Sequence, residues 1–242
     1  FSLDDRFIFY SKLDENHRPK KIFRHEIGKS IKEDLLIFEE RTPAFTVSIG
    51  ISADEKYYFI NSSDHNTSEK YYFKSNESLP KPKIVRKREK GIIYSVSSWG
   101  GYFYIHTNKG AEDFKIERSR DIEASKWEVF IPAKNETMIG GLTFLKNWII
   151  RSELNNALDK IFVRDINSNN EEELIFTDEE VYDGSISHTQ KDRNTDLIYI
   201  SYSTPKTQAR TYLYNLKTKE KKLVKEQVIP TGHDPKNYIV QR

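Results

Sequence analysis

The sequence repeats a pattern of short, strand-like segments about every 45 residues. Segments rich in small and β-branched residues begin at Phe45, Ile92, Met138 and Tyr182, which lie 47, 46 and 44 residues apart. Three further strand-like segments, separated by polar turns, follow each of these starts. A period of this length with four strands per unit is typical of a β-propeller blade. In the second complete unit the predicted strands are 92–97, 102–107, 113–118 and 127–131.

Residues before the first complete unit predict only three strands, at 7–11, 22–26 and 35–39. No long segment keeps a helical period, so almost no helix is expected. The fold class is therefore all-β, a partial β-propeller with four complete four-stranded antiparallel blades and most of a fifth. The predicted blades are residues 1–44, which lack their inner strand, then 45–90, 91–136, 137–180 and 181–231, followed by an exit segment at 232–242.

Small residues in the predicted inner strands have a simple interpretation. An inner strand faces the crowded axis of a propeller, where large side chains do not fit. On this interpretation Ser48, Gly140, Gly141 and Gly184 are small because they face that axis. A chain that lacks an inner strand and begins without Met is expected to be part of a larger protein.

Composition excludes several classes of protein. Aromatic content is high, with 14 Phe and 14 Tyr, which argues against disorder. The 39 basic and 37 acidic residues give a net charge of +2, so no general positive field attracts nucleic acid. Without cysteine there is no disulfide or thiolate metal site, and a reducing, cytoplasmic location is expected. No long apolar segment or signal peptide is apparent, so no membrane partner is expected.

Charge is nevertheless distributed in blocks. Residues 81–90 contain six basic residues and one acidic residue, and residues 171–180 contain six acidic residues and no basic one. Both blocks are interpreted as solvated strand edges and turns, because charged side chains on edge strands discourage pairing with other chains.

Several segments together resemble the prolyl oligopeptidase family, in particular its oligopeptidase B (protease II) branch. The similarity covers the whole chain and is strongest in five segments. These are LDENHRP at 13–19, IFRHEIG at 22–28, HNTSE at 65–69, TNKGAEDFK at 107–115, which has Asp113 where the branch usually has Asn, and PTGHDP at 230–235 with Tyr238 after it.

This resemblance implies a function for a larger protein. Members of the family have a seven-bladed propeller that caps an α/β-hydrolase domain carrying a catalytic Ser, Asp and His. The propeller excludes folded proteins, and the oligopeptidase B branch cleaves peptides after Arg or Lys. This chain resembles only the later blades and stops near the start of the hydrolase domain. The resemblance implies no cofactor, and it makes Gly232, His233, Asp234 and Pro235 the hinge toward the catalytic domain.

No catalytic residue is predicted within this chain. The nucleophile elbow of an α/β-hydrolase, Gly-x-Ser-x-Gly, does not occur. Ser98-Trp99-Gly100-Gly101 resembles part of such an elbow, but Val96 stands where the first Gly should be, and a strand follows instead of a helix. The segment is therefore predicted to be a hairpin turn.

Other residues that could form a site have simpler explanations. The histidines do not have a metal-ligand spacing, so no metal site is predicted, and carboxylates that could cleave glycosides are interpreted as solvated acids. The alternation of basic and aromatic residues from Lys70 to Lys74 would suit single-stranded nucleic acid, but packing between blades is preferred. The histidines are His17, His25, His65, His106, His188 and His233, and the carboxylates are Asp4, Asp5, Glu39, Glu40, Asp178, Glu179, Glu180 and Asp183.

The sequence thus predicts the non-catalytic, substrate-gating propeller of an oligopeptidase B-like serine peptidase. Its partners would be peptide substrates, which would be cleaved by a catalytic domain outside these residues. The alternative is a stand-alone propeller scaffold that binds peptides or proteins. In either case the open edges and faces of the incomplete ring are expected to favour self-association.

Overall fold

The structure is a computed structural model that describes residues 1–188 and 193–240. The chain forms two compact units, Phe1–Pro132 and Ala133–Arg242. In the described residues the regular structure is nineteen strands and two short 3-10 turns, at Ile31–Glu33 and Pro235–Asn237. The all-β class is confirmed, and the small antiparallel sheets of each unit are consistent with a partial β-propeller.

The first unit contains three antiparallel sheets in which hydrogen-bonded strands follow one another in sequence. Sheet 1 contains β1 (Phe7–Leu13), β2 (Pro19–Glu26) and β3 (Leu35–Glu39); sheet 2 contains β4 (Thr46–Ile51), β5 (Tyr57–Ser63), β6 (Ser68–Lys74) and β7 (Lys83–Arg86); sheet 3 contains β8 (Tyr94–Trp99), β9 (Tyr102–Thr107), β10 (Lys115–Ser119) and β11 (Glu128–Ile131).

The second unit contains two four-stranded sheets of the same kind. Residues 189–192 of the predicted blade 181–231, and residues 241–242 of the exit segment, lie outside the described residues. Sheet 4 contains β12 (Thr137–Leu145), β13 (Trp148–Asn155), β14 (Leu158–Asp165) and β15 (Glu171–Leu174); sheet 5 contains β16 (Asp183–His188), β17 (Leu197–Ser203), β18 (Arg210–Asn215) and β19 (Lys221–Glu226).

Aromatic side chains fill the interface between sheets 1 and 2. Burial alternates along β5, because successive side chains of a strand point to opposite faces. Phe9 of sheet 1 packs on Tyr58 of sheet 2, with ring centroids 4.6 Å apart, and Tyr58 stacks on Phe73 at 5.2 Å. Both faces of sheet 2 are covered within the first unit, since Tyr72 packs on the opposite side with Phe103 of sheet 3.

Tyr94 joins sheets 2 and 3 at an irregularity in sheet 2. The pairing of β6 with β7 shifts register between Lys70 and Tyr71. At this point the Lys70 amide donates to the Tyr94 hydroxyl at 2.9 Å, and that hydroxyl donates to the carbonyl of Arg86 at 2.6 Å. The Tyr94 amide also donates to Ser68 Oγ at 2.7 Å. Tyr94 therefore satisfies backbone groups that the bulge separates, and it is itself buried.

A buried ion cluster joins sheet 1 to sheet 2. Glu40, directly after β3, accepts hydrogen bonds from Ser62 Oγ, the Thr42 amide and Arg88 Nη2. Arg88 also donates to Glu69, and its guanidinium lies 4.0 Å from the centre of the Phe45 ring. Glu40 and Glu69 are only 6% and 5% exposed. Two carboxylates share one guanidinium, and neutral donors satisfy the remaining oxygens, as a buried charge requires.

The second unit has its own core and its own buried ion cluster. Ile150 and Val163 of sheet 4 pack in one cluster with Ile198 and Ile200 of sheet 5. On sheet 4, Arg151 donates to both oxygens of Glu171 at 2.9 and 3.0 Å, and Arg151 is only 4% exposed. Its guanidinium lies over the ring of Phe162, and it also donates to Glu153. These two parallel hydrogen bonds are a bidentate geometry, which the planar guanidinium of arginine can form and the ammonium of lysine cannot.

The reason predicted for the small inner-strand residues is wrong for Gly140. A Cβ at Gly140 would lie 2.1 Å from Oγ and 2.8 Å from the carbonyl oxygen of Ser152, on the adjacent strand β13. The register of β12 and β13 shifts at this position, so the close approach of two strands within one sheet excludes a side chain. A Cβ at Gly184 would meet the Phe176 ring at 3.0 Å, one at Gly141 would meet no atom within 4 Å, and Ser48 is exposed.

Removing the Tyr94 hydroxyl tests its bridge between sheets 2 and 3. Tyr94→Phe keeps the ring but leaves the Lys70 amide and the Arg86 carbonyl without their partner. We expect a loss of about 1–3 kcal/mol in the free energy of unfolding, measured by urea denaturation. Tyr102→Phe, which removes a more exposed hydroxyl from β9, is the matched control. Equal stability of the two variants would contradict the claim that the Tyr94 hydroxyl stabilises the contact between sheets 2 and 3.

The ion cluster at Glu40 predicts a stability that depends on acid pH. Burial opposes ionisation of Glu40, but hydrogen bonds from Ser62 and Arg88 outweigh it and lower the pKa of Glu40 to about 2. Because this pKa lies below the unfolded value of about 4.5, the ionised carboxylate stabilises the fold above pH 4.5. That contribution is lost as the pH falls toward 2.

Glu40→Gln isolates this contribution. The variant should be less stable than the native chain at pH 7 by about 1.5–3 kcal/mol, the usual value of hydrogen bonds to a charged group. The difference should shrink between pH 4.5 and pH 2, as followed by thermal melting at each pH. Glu39→Gln, on the neighbouring and more exposed carboxylate, should change stability little at any pH. A difference for Glu40→Gln that stays constant with pH would refute this account.

Candidate functional site

The predicted hinge begins with a turn at Gly232. The Gly232 amide donates to the carbonyl of Ile229 at 3.0 Å, and Gly232 has a φ of +79°. A residue with a Cβ pays about 1–2 kcal/mol to adopt this left-handed conformation. No atom would lie within 4 Å of a Cβ built there, so the requirement for glycine comes from the backbone and not from crowding.

His233 attaches this segment to sheet 5. Its Nε2 donates to the carbonyl oxygen of Lys206 at 2.6 Å, in the loop between β17 and β18. The imidazole also stacks on Tyr238, with centroids 5.0 Å apart. Thr207 of that loop donates to Glu179 Oε1 at 2.9 Å, so the loop is itself held by a hydrogen bond. His233 thus links the predicted hinge to the loop between β17 and β18 through its side chain.

Asp234 and Pro235 form a short, stiff turn after His233. Asp234 Oδ1 accepts from the Lys236 amide at 3.0 Å and caps the 3-10 turn Pro235–Asn237. Proline at the first position of the turn fixes its own φ and needs no hydrogen-bond partner. A glycine in the left-handed region, a side-chain hydrogen bond to the β17–β18 loop and a capped turn therefore follow one another.

Ser98, the only candidate nucleophile that the sequence offered, lies at a hairpin. It is 3% exposed, and its Oγ donates to Asp54 Oδ2 at 2.8 Å. Gly100 and Gly101 have φ values of 60° and 78° and form the two-residue turn between β8 and β9. Positive φ at both positions is the requirement of a type I′ hairpin turn. The predicted hairpin is confirmed.

The histidines are distributed over separate elements. His25 Nδ1 lies 2.7 Å from Asp34 Oδ1, and the Tyr10 hydroxyl donates to the other oxygen of Asp34 at 2.6 Å. His106 stacks on Phe114 at 4.6 Å, and His17 lies in the exposed turn after β1. In the parts of the chain that the structure describes, no group of three or more His, Asp or Glu side chains is placed to hold a metal ion.

One of the carboxylates predicted to be solvated is buried. Glu40 lies in the ion cluster with Arg88, whereas its neighbour Glu39 pairs with Lys21 at 3.0 Å near the surface. The prediction is wrong for Glu40 because the strand ends there and the side chain turns toward sheet 2. Arg86 and Arg88, assigned to a solvated basic block, likewise bind Glu117 and the Glu40–Glu69 pair.

The aromatic residues between Lys70 and Lys74 pack between sheets, as preferred from the sequence. Phe73 is 2% exposed, and the Tyr72 hydroxyl donates to Glu123 Oε1 at 2.6 Å. Tyr71 donates to Glu69 at 2.7 Å. These rings are therefore occupied in packing and hydrogen bonds.

Sequence reasoning missed a second group of polar residues. Lys70, Tyr94 and His106 line a cavity between sheets 2 and 3. The sequence of β6 contains one indication of this cavity. Because side chains alternate between the two faces of a strand, Lys70 lies on the same face as the buried Tyr72. None of the helical turns in residues 1–188 and 193–240 has the length and apolarity of a membrane-spanning segment.

The comparisons with known proteins agree with this architecture. The family model described as the N-terminal β-propeller domain of prolyl oligopeptidase matches residues 2–227. Protease 2 from Moraxella lacunata is 32% identical over 228 residues, which are 93% of this chain and 32% of that protein. Dipeptidyl aminopeptidase BI from Pseudoxanthomonas mexicana is 28% identical over 246 residues, 100% of this chain and 33% of that protein.

A solved structure shows the same arrangement of strands. Oligopeptidase B from Trypanosoma brucei, in a closed form with covalently bound antipain, superimposes with a TM-score of 0.87 at 26% identity, over 97% of this chain and 34% of its own. The chain therefore spans about a third of the length of the relatives it matches. Since the domain model matches almost the whole chain, the chain belongs to the N-terminal β-propeller domains of the prolyl oligopeptidase family.

Proposed function

We propose that this chain is the non-catalytic, substrate-gating propeller portion of an oligopeptidase B-like serine peptidase that cleaves peptides after Arg or Lys. The observation that carries the proposal is the domain match over residues 2–227, together with the similarity to a Protease 2 and to an oligopeptidase B structure. Its partners are peptide substrates, which reach a serine, aspartate and histidine on a separate domain. A cytoplasmic location belongs to the same proposal, because the sequence has no cysteine.

The packing of the sheets supports a gating role. A barrier that excludes folded proteins must keep its sheets together while peptides pass. In the first unit, sheets 1 and 2 are joined by the Arg88 cluster, and sheets 2 and 3 are joined by Tyr94. Buried, fully paired groups of this kind open rarely, because separation leaves charges or amides without partners.

One relative is named for a different peptidase activity. The protein from Pseudoxanthomonas mexicana, similar over the whole chain, is named a dipeptidyl aminopeptidase. Release of amino-terminal dipeptides is therefore the second activity to be tested for the complete protein.

The alternative is a stand-alone scaffold that binds peptides or proteins and associates with itself. The outer edge of β1 supports it, because among the described strands β1 pairs with β2 alone and sheet 1 has three strands. The edge strand β19 argues against association at the other end of the chain, since its exposed residues include Lys221, Lys222 and Lys225. Lysines on an edge strand oppose edge-to-edge pairing.

Peptide hydrolysis separates the two proposals. The purified 242-residue chain should not release the fluorophore from a substrate that ends in Arg or Lys, because it has no serine nucleophile on an elbow. The whole natural protein should cleave that substrate and should prefer it to a dipeptide-releasing one. Hydrolysis by the chain alone, or a natural protein without a hydrolase domain that forms a defined oligomer, would contradict the peptidase proposal.

The hinge proposal is tested in the whole peptidase with His233→Ala. Loss of the hydrogen bond to the Lys206 carbonyl frees the exit segment, so a peptide of about 30 residues should be cleaved several-fold faster relative to a tripeptide substrate. Lys236→Ala, at an exposed position of the same segment, is the control and should leave the ratio unchanged. An unchanged ratio for His233→Ala would remove the hinge role.

A further inference from the structure

A cavity of about 300 Å³ lies between sheets 2 and 3 of the first unit. It is formed where the β5–β6 loop lies near the start of β8 and the end of β9. Ser95 in its wall is exposed, so the cavity is open to solvent. The side chains that matter for its chemistry are Asn61, Asp64, His65, Lys70, Ser95 and His106.

Lys70 in the wall of this cavity has unused hydrogen-bonding capacity. An ammonium group has three donors, and in the described residues the side chain of Lys70 has one acceptor, Asn61 Oδ1. Lys20, in the same unit, is a lysine whose three donors are all used. Its Nζ donates to the carbonyl oxygens of Thr42, Pro43 and Phe45. Two donors of Lys70 are therefore left for water or a ligand.

The charges around Lys70 do not neutralise it. No carboxylate in the described residues lies within ion-pair distance of its Nζ, and Asp64, in the same cavity wall, accepts from the amides of Asn66 and Thr67. Arg86 lies opposite Lys70 on β7, but Glu117 binds it at 2.9 Å. The Tyr94 hydroxyl is used by the backbone, as described above. His65 and His106 complete the titratable groups of the wall.

We propose that this cavity binds a carboxylate, with Lys70 as its charge partner and the Ser95 hydroxyl of the wall as an additional donor. The ligand is a small organic acid or the C-terminal carboxylate of a short peptide. A singly charged group matches the single ammonium, whereas a phosphate dianion carries one more negative charge than that ammonium neutralises. This site is separate from the hinge and does not rest on the peptidase proposal.

Burial gives the site a pH dependence. Desolvation lowers the pKa of Lys70 to about 8. Only the protonated amine attracts a carboxylate, so affinity is highest below pH 8 and falls as the pH rises above it. The dissociation constant should increase about tenfold between pH 7 and pH 9, from the fraction of amine that remains protonated.

The test measures binding of acetate to the whole natural protein by calorimetry, with neutral acetamide as the comparison. Lys70→Met should weaken acetate binding at least tenfold, while Lys74→Met, an exposed lysine on the same strand, should leave it unchanged. The pH series on the unaltered protein needs no variant, so it decides the question even if Lys70→Met is unstable. Equal binding by both variants, a pH-independent constant, or acetamide binding as well as acetate would each overturn the proposal.

Binding of a tripeptide and of its C-terminal amide identifies the source of the carboxylate. A tripeptide with a free C-terminus that binds more tightly than both acetate and its own C-terminal amide would indicate a peptide terminus. A tripeptide that binds more weakly than acetate would indicate a small organic acid. Inorganic phosphate that binds more tightly than acetate would overturn the assignment to a carboxylate.

Discussion

Small antiparallel sheets with two apolar faces dictate the rest of this structure. Sheet 2 buries Tyr58 and Phe73 on one side and Tyr72 on the other, so it is stable only between two neighbours. Each buried aromatic side chain contributes about 1.5–3 kcal/mol through the hydrophobic effect, but this contribution has no direction. Apolar packing brings the sheets together, and polar contacts must then fix how they meet.

The polar contacts that fix the sheets are of two physical kinds. Tyr94 spans sheets 2 and 3 with neutral hydrogen bonds to backbone, whereas Arg88 spans sheets 1 and 2 with charge. A neutral bridge costs little to bury and keeps its strength at all moderate pH values. A buried ion cluster costs several kcal/mol in desolvation and stabilises only while its partners are complete and ionised. The Tyr94 bridge is therefore insensitive to acid, whereas the Arg88 cluster is sensitive to it.

The sequence predicts the strands better than it predicts their side-chain partners. The segments 35–39 and 102–107 coincide with β3 and β9, because both are short and rich in the apolar and aromatic residues that suit a strand. The strand predicted at 92 begins instead at Tyr94, since the carbonyl of Ile92 accepts from Ser68 of the neighbouring sheet. Such a bond joins residues 24 positions apart, and no local pattern contains it.

The same limit applies to the candidate sites. The sequence GHDP at 232–235 is typical of a turn. No local sequence pattern, however, shows that His233 reaches the carbonyl of Lys206. Lys70 is part of a run of basic and aromatic residues. Alternation along β6 places it on the face of Tyr72, but no local pattern shows the register shift beside it. The bulge removes the Lys70 amide from regular pairing, and Tyr94 accepts it from the next sheet. One local irregularity thus places a sheet-to-sheet bridge and a lysine with unused donors side by side. A substitution that repaired the bulge would therefore alter both the contact between the sheets and the cavity between them.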